Sequence, residues 1–128
     1  MIKKLGLFLS IILFACITFA ITAIPAAAAT YTVKMGADNG VLKFVPETLH
    51  IKPGDTVNFV MNKLAPHNII FNKGPDGANL DDLSSTKLLF SPGQTYSTTF
   101  PQDTPLGVYQ YYCQPHRGAG MLASIIVE

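Results

Sequence analysis

Between Cys113 and Met121 the chain reads Cys-Gln-Pro-His-Arg-Gly-Ala-Gly-Met, which sets a thiol, the His116 imidazole and a thioether in the spacing Cys-x2-His-x4-Met. A second imidazole, His67, follows Pro66 at the start of an earlier apolar run. Soft sulfur donors suit Cu(I) and imidazoles suit both copper oxidation states. Two His, one Cys and a weak axial Met form the ligand set of a blue copper site. Taken singly, each residue has an ordinary reading: a buried thiol, a core-filling thioether, a hydrogen-bonded histidine. Together they occupy one loop and one strand end, whereas the third histidine, His50, has no such neighbours. Zinc also accepts Cys and His, but structural zinc sites take four strong S, N or O donors, which leaves Met121 unexplained. A nucleophilic Cys113 activated by a histidine is the enzyme alternative, and it too gives Met121 no role. A copper carrier that hands over its ion calls for a more open, exchangeable site. With no substrate position in view, one-electron transfer rather than catalysis is the expected chemistry.

These ligands need a rigid frame. From residue 30 onward the sequence is a series of short alternating runs divided by Gly, Pro and Asn, the pattern of an all-β sandwich. Eight strands are expected: Tyr31 to Met35, Val41 to Val45, Thr48 to Lys52, Thr56 to Asn62, His67 to Phe71, Gln94 to Phe100, Gly107 to Cys113 and Met121 to Val127. Alternation turns Val57, Phe59 and Met61 inward, exposes His50, and puts Cys113 on the inward parity of Tyr109 and Tyr111. Tyr112 then faces outward. Asn39-Gly40, Pro53-Gly54-Asp55 and Pro92-Gly93 mark reversals. The stretch Leu80 to Phe90 does not read as a strand, and Ser84-Ser85 before Thr86 suggests a short helical turn there.

The chain has 128 residues with nine basic and eight acidic side chains. That near balance lacks the cationic excess that a phosphate backbone would attract, so nucleic acid is not expected as a partner. Lys3 and Lys4 precede an uncharged run from Leu5 to Ile24, followed by Pro25 and Ala26 to Ala29, the layout of a secretory leader. An uncleaved anchor is the alternative, since the run approaches the roughly 20 residues of a spanning helix. Pro25 and the Ala-x-Ala ending favour cleavage. The expected organisation is a leader over residues 1–29 and one copper-binding domain over 30–128, without lasting membrane association. Losing Lys3 and Lys4 leaves seven basic against eight acidic residues and a formal charge of −1 on the domain. Cys16 belongs to the leader, so Cys113 has no disulfide partner.

Ala65-Pro66-His67-Asn68-Ile69-Ile70-Phe71 and Tyr111-Tyr112-Cys113-Gln114-Pro115-His116-Arg117-Gly118-Ala119-Gly120-Met121 resemble the plastocyanin family of cupredoxins. Met35 to Gly40 and Met61-Asn62-Lys63 extend the resemblance over essentially the whole domain. It implies an eight-stranded Greek-key β-sandwich and one copper held by His67, Cys113, His116 and Met121. It also implies a soluble, monomeric carrier taking electrons from cytochrome f to photosystem I in a thylakoid lumen. An azurin-like or pseudoazurin-like donor to a periplasmic reductase or dehydrogenase is the alternative. Arg117 beside a ligand resembles the cyanobacterial members. The acidic clusters of the plant proteins are missing, with Asn72-Lys73-Gly74 and Ser85-Thr86-Lys87 in their place. Steering by charge is then expected to be weak, and the resemblance places the docking surface on an apolar edge formed by Leu42, Leu64, Ala65, Pro66, Pro115, Gly118 and Ala119, with Arg117 on its rim and Tyr112 as a second contact. Asn68 is implied to link the two ligand segments, and Pro66 and Pro115 to stiffen them.

Overall fold

In the computed structural model, which describes residues 26–128, two β-sheets face each other. The leader expected over residues 1–29 lies outside the described residues except for Ala26 to Ala29. The strands are β1 (Thr30–Met35), β2 (Phe44–Val45), β3 (Thr48–Ile51), β4 (Thr56–Met61), β5 (His67–Lys73), β6 (Ser85–Leu89), β7 (Thr95–Thr99), β8 (Gly107–Tyr112) and β9 (Leu122–Val127). A one-turn helix α1 (Leu80–Leu83) precedes β6, and a 3-10 helix (Gln114–Ala119) separates β8 from β9. One sheet runs β2-β1-β4-β7 and the other β3-β9-β8-β5-β6. The β1/β4 and β3/β9 pairs are parallel, as crossing between sheets in a Greek-key sandwich requires.

Period-two alternation assigns the faces. Along β4 every second residue, Val57, Phe59 and Met61, is buried, while Asn58 and Val60 are partly exposed. In β8 the buried positions are Tyr109 and Tyr111. Aromatic rings from the two inner faces meet in the middle: Tyr111 lies 4.7 Å from Phe44 and 5.4 Å from Phe59 in edge-on geometry, and 5.0 Å from Phe71. Such pairs add about 0.5–1.5 kcal/mol beyond the area they bury.

Two segments depart from expectation. The run Val41 to Val45 keeps only Phe44 and Val45 as strand, because residues 37–43 close on themselves through Ala37 N–H to the Val41 carbonyl (2.9 Å) and Gly40 N–H to the Ala37 carbonyl (2.9 Å). Helix α1 begins five residues before Ser85 and is capped by Asn79, whose side chain accepts from Asp82 N–H. Ser85–Leu89 is instead a ninth strand against β5, with His67 opposite Leu89. Its burial is nearly one-sided, with Leu89 buried and Thr86, Lys87 and Leu88 exposed, so an edge strand lacks the alternation that identifies inner ones.

Candidate metal centre

All four residues of the expected ligand set converge at one end of the sandwich. His67 is the first residue of β5, Cys113 follows β8, His116 lies in the 3-10 helix, and Met121 precedes β9. His67, Cys113 and Met121 have no exposed surface, whereas His116 is half-buried. The Cys113 Sγ stands 3.5 Å from Nδ1 of His67 and 3.5 Å from Nδ1 of His116, and the two Nδ1 atoms are 3.2 Å apart. Metal–nitrogen and metal–sulfur bonds of about 2.0–2.3 Å span a triangle of that size.

Local hydrogen bonds aim the donors inward. Nε2 of His67 donates to the Lys63 carbonyl at 2.5 Å, which leaves the Nδ1 lone pair facing the other two donors. The loop is closed at both ends: Cys113 N–H donates to the Met121 carbonyl (3.1 Å), and Met121 N–H to the His116 carbonyl (3.2 Å). Gly120 completes the return at φ +84°, a conformation that L side chains rarely adopt. On the other side, Gly36 at φ +87° lets β1 turn against the Lys63 carbonyl, where a Cβ would collide. Asn62 ties these loops by donating from Nδ2 to the Gly36 carbonyl and to Asp38 Oδ1, both at 2.8 Å. The same Asn62 bond, with Lys34 beside it, holds the Asp38 carboxyl below its usual range.

Asn68 has no exposed surface and bridges β5 to the ligand loop. Its Oδ1 accepts from Gln114 N–H at 2.8 Å, and its Nδ2 donates to the Thr86 carbonyl (3.3 Å) and Gln114 Oε1 (3.2 Å). Lys63, Thr86 and Gln114 thus serve the site through backbone groups or an amide. Motif reading missed their part in it because a backbone carbonyl carries no residue signature. Pro66 and Pro115 flank the ligands His67 and His116.

The electrostatics match a cation that is bound rather than a free nucleophile. Burial pushes the Cys113 thiol up, opposed by the backbone N–H groups of Asn68 and His116 that favour a thiolate. Burial lowers the His67 imidazole, and His116 nearby adds to that effect. A buried thiol raised in this way is a poor nucleophile by itself. Two imidazole lone pairs and one sulfur converging at 3.2–3.5 Å repel each other until a metal ion accepts all three. The donor set fits copper, with the Met121 thioether as the soft fourth donor that zinc sites rarely use.

The residues expected at the docking edge fall around this end with mixed exposure. Leu64 is 49% exposed and holds the left-handed φ of +58°, uncommon for a non-glycine residue. Ala65, Pro115, Gly118 and Ala119 are exposed and Pro66 half-buried, while Leu42 packs partly against the core. The Arg117 guanidinium lies over the Tyr112 ring, 4.2 Å from its centroid. His50 is remote from the ligands in sequence pairing and sits 3.0 Å from Glu128 on the surface.

Comparison with known proteins agrees with this geometry. Residues 31–128 match the family model for copper binding proteins of the plastocyanin/azurin family. The chain is 48% identical over 126 residues to plastocyanin of Prochlorothrix hollandica, covering 98% of this chain and 94% of that one. It is 53% identical over 105 residues to the chloroplastic plastocyanin of Chlamydomonas reinhardtii, covering 80% and 70% of the two chains. Among solved structures, a mutant plastocyanin of fern superposes with a TM-score of 0.63 at 29% identity, covering 76% of this chain and 99% of that chain. A pseudoazurin from Sinorhizobium gives 0.58 at 32% identity, with coverages of 78% and 74%. The chain belongs to the plastocyanin/azurin family of copper binding proteins and is a type 1 copper electron-transfer protein.

Proposed function

We propose that the chain is a carrier and not an enzyme, moving single electrons from cytochrome f to photosystem I as a soluble monomer in a thylakoid lumen. The observation that carries this reading is the contrast among the ligands: three are fully buried, and His116 alone reaches the surface, amid exposed Pro115, Gly118 and Ala119. His67, Cys113, His116 and Met121 would hold a copper ion that supplies the Cu(I)/Cu(II) couple. The protein keeps the donor positions nearly constant through the ties from Lys63, Asn68 and the closed loop, so little reorganisation accompanies transfer. Apolar residues around the only exposed ligand let a partner approach it without desolvating charge. The relatives include a chloroplastic plastocyanin, which favours photosynthetic partners.

Charge has a secondary part. The positions of the plant acidic clusters carry exposed Lys73 and Lys87, so those clusters do not steer the approach. Arg117 is held over Tyr112 rather than free in solvent, and a fixed rim cation can orient an acidic partner group. Flash kinetics with cytochrome f and photosystem I test the reading. Ala65→Glu, at an exposed position, slows both reactions at any salt concentration. Arg117→Gln slows the photosystem I reaction at low salt, and the deficit shrinks as salt rises. Unchanged rates for both variants contradict the proposed surface. Efficient transfer only to a periplasmic reductase or dehydrogenase favours a pseudoazurin-like role instead.

A further inference from the structure

At the end of the fold marked by the first residues of β1, Asp55 is a carboxylate with only 4% of its surface exposed. Its Oδ2 accepts from Lys52 N–H and its Oδ1 from Ala29 N–H, each at 2.8 Å. The ion pairs among the described residues are Lys34–Asp38, Lys43–Glu47 and His50–Glu128, so none supplies Asp55 with a counter-charge. A buried carboxylate held by neutral amides alone is an expensive arrangement, and a carboxylate accepts more hydrogen bonds than these two. Ala29 is also the first residue fixed to the sheet: its carbonyl accepts from Thr56 N–H at 2.9 Å, extending the parallel β1/β4 register that starts with Thr30 opposite Thr56. Upstream, Ala26 to Ala28 only line a surface cavity with Lys52, Asp55, Gln102 and Glu128.

The four alanines leave the leader's cut undecided on sequence grounds, since Ala26-x-Ala28 and Ala27-x-Ala29 both present small residues before the scissile bond. The structure separates them. A chain starting at Thr30 loses both the N–H that Asp55 Oδ1 accepts and the carbonyl that Thr56 uses. A chain starting at Ala28 puts its charge one residue out from Oδ1. A chain starting at Ala29 puts an ammonium on the very nitrogen that already lies 2.8 Å from the carboxylate.

We propose that the leader is cut between Ala28 and Ala29, and that the buried Asp55 carboxylate is a built receptor for the α-ammonium this cut creates. The inference rests on the reading of the N-terminal residues as a cleaved leader, and moves the domain start from Thr30 to Ala29. In the cut, a leader peptidase adds water across the Ala28–Ala29 peptide bond. The Ala28 carboxylate leaves with the leader, and the new Ala29 amine takes a proton. Asp55 is the charged group in contact with that nitrogen, and Glu128 and Lys52, of opposite charge, line the adjoining surface cavity with it. With Asp55 nearest, the amine's folded pKa rises above the ordinary α-amino value of about 7.7–8.0. The stabilisation is therefore complete below that ordinary value and lost as pH climbs through the raised folded one.

The test begins with the full chain exported by a bacterial host and loaded with copper. Intact mass is expected to show a protein starting at Ala29. A start at Thr30 or Ala28 overturns this proposal while leaving the leader intact, and a mass that includes residues 1–25 overturns the leader reading itself. The second arm compares copper-loaded chains starting at Ala29 and at Ala28. The Ala29 form is expected to melt about 4–8 °C higher near pH 6.5, with the gap closing well above pH 8. Asp55→Asn should remove the gap in both its size and its pH dependence. Equal melting temperatures at pH 6.5, or a gap that survives Asp55→Asn, contradicts the ion pair.

Discussion

Replacing Asn68 with Ala removes a side chain that joins β5, the edge strand β6 and the copper-ligand loop. Three hydrogen bonds disappear, to Gln114 N–H, Gln114 Oε1 and the Thr86 carbonyl. Each contributes roughly 0.5–1.5 kcal/mol net, and a small void forms at a site with no solvent access. Gln114 is exposed, so water can serve its freed N–H, and the lower half of the range applies to its two bonds. The expected loss is about 2–3 kcal/mol, or a fall in melting temperature of roughly 10–20 °C for a domain of this size. Because Gln114 opens the 3-10 helix that carries His116, the variant should also bind copper less tightly. Bound metal stabilises the folded state by an amount that grows with the logarithm of its affinity, so the gap between copper-loaded and copper-free melting should narrow. Calorimetry on both forms measures both quantities. A fall of less than about 3 °C refutes the energetic reasoning. A normal fall with an unchanged gap refutes the claim that Asn68 positions the ligand loop.

The Tyr111 hydroxyl is buried in the aromatic core without a hydrogen-bond partner, and burial pushes its pKa up, so Tyr111→Phe should stabilise the protein by about 1 kcal/mol. Thermal melting checks this, and a clear drop would mean that the hydroxyl is satisfied in solution. Met121→Leu keeps copper and the blue band, because the axial bond is the weak one, while loss of an electron-donating thioether raises the reduction potential. Voltammetry reads the potential, and complete loss of copper would contradict the axial assignment.

Much of this architecture is legible because it obeys simple periodicities. Val57, Phe59 and Met61 alternate cleanly, and the parity of Tyr109 and Tyr111 correctly carries Cys113 inward. The ligand loop is legible for a different reason: Cys, His and Met side chains carry their chemistry in their identity. What escaped the sequence is whatever depends on backbone or on partners far along the chain. Strand β6 hides because it is an edge with only Leu89 buried. Ser84-Ser85 suggests the start of a helical turn, but Asn79 supplies the cap of α1 and Ser84 bonds back to the Leu80 carbonyl at 2.8 Å. The Lys63 carbonyl fixes the His67 ring, and no side-chain motif encodes that. The stacking of Arg117 on Tyr112 joins two residues that the sequence reading treated separately.

Cys113 Sγ and the Nδ1 atoms of His67 and His116 are placed to bind one copper ion between them. Titrating the metal-free protein with Cu(II) while recording the visible absorption spectrum tests this most directly, with Cys113→Ser measured alongside. The wild-type protein should develop an intense thiolate-to-copper band that saturates at one equivalent, and the serine variant, lacking the soft anionic donor, should show none. A wild-type protein that stays colourless, or a serine variant that keeps the band, would contradict the assignment.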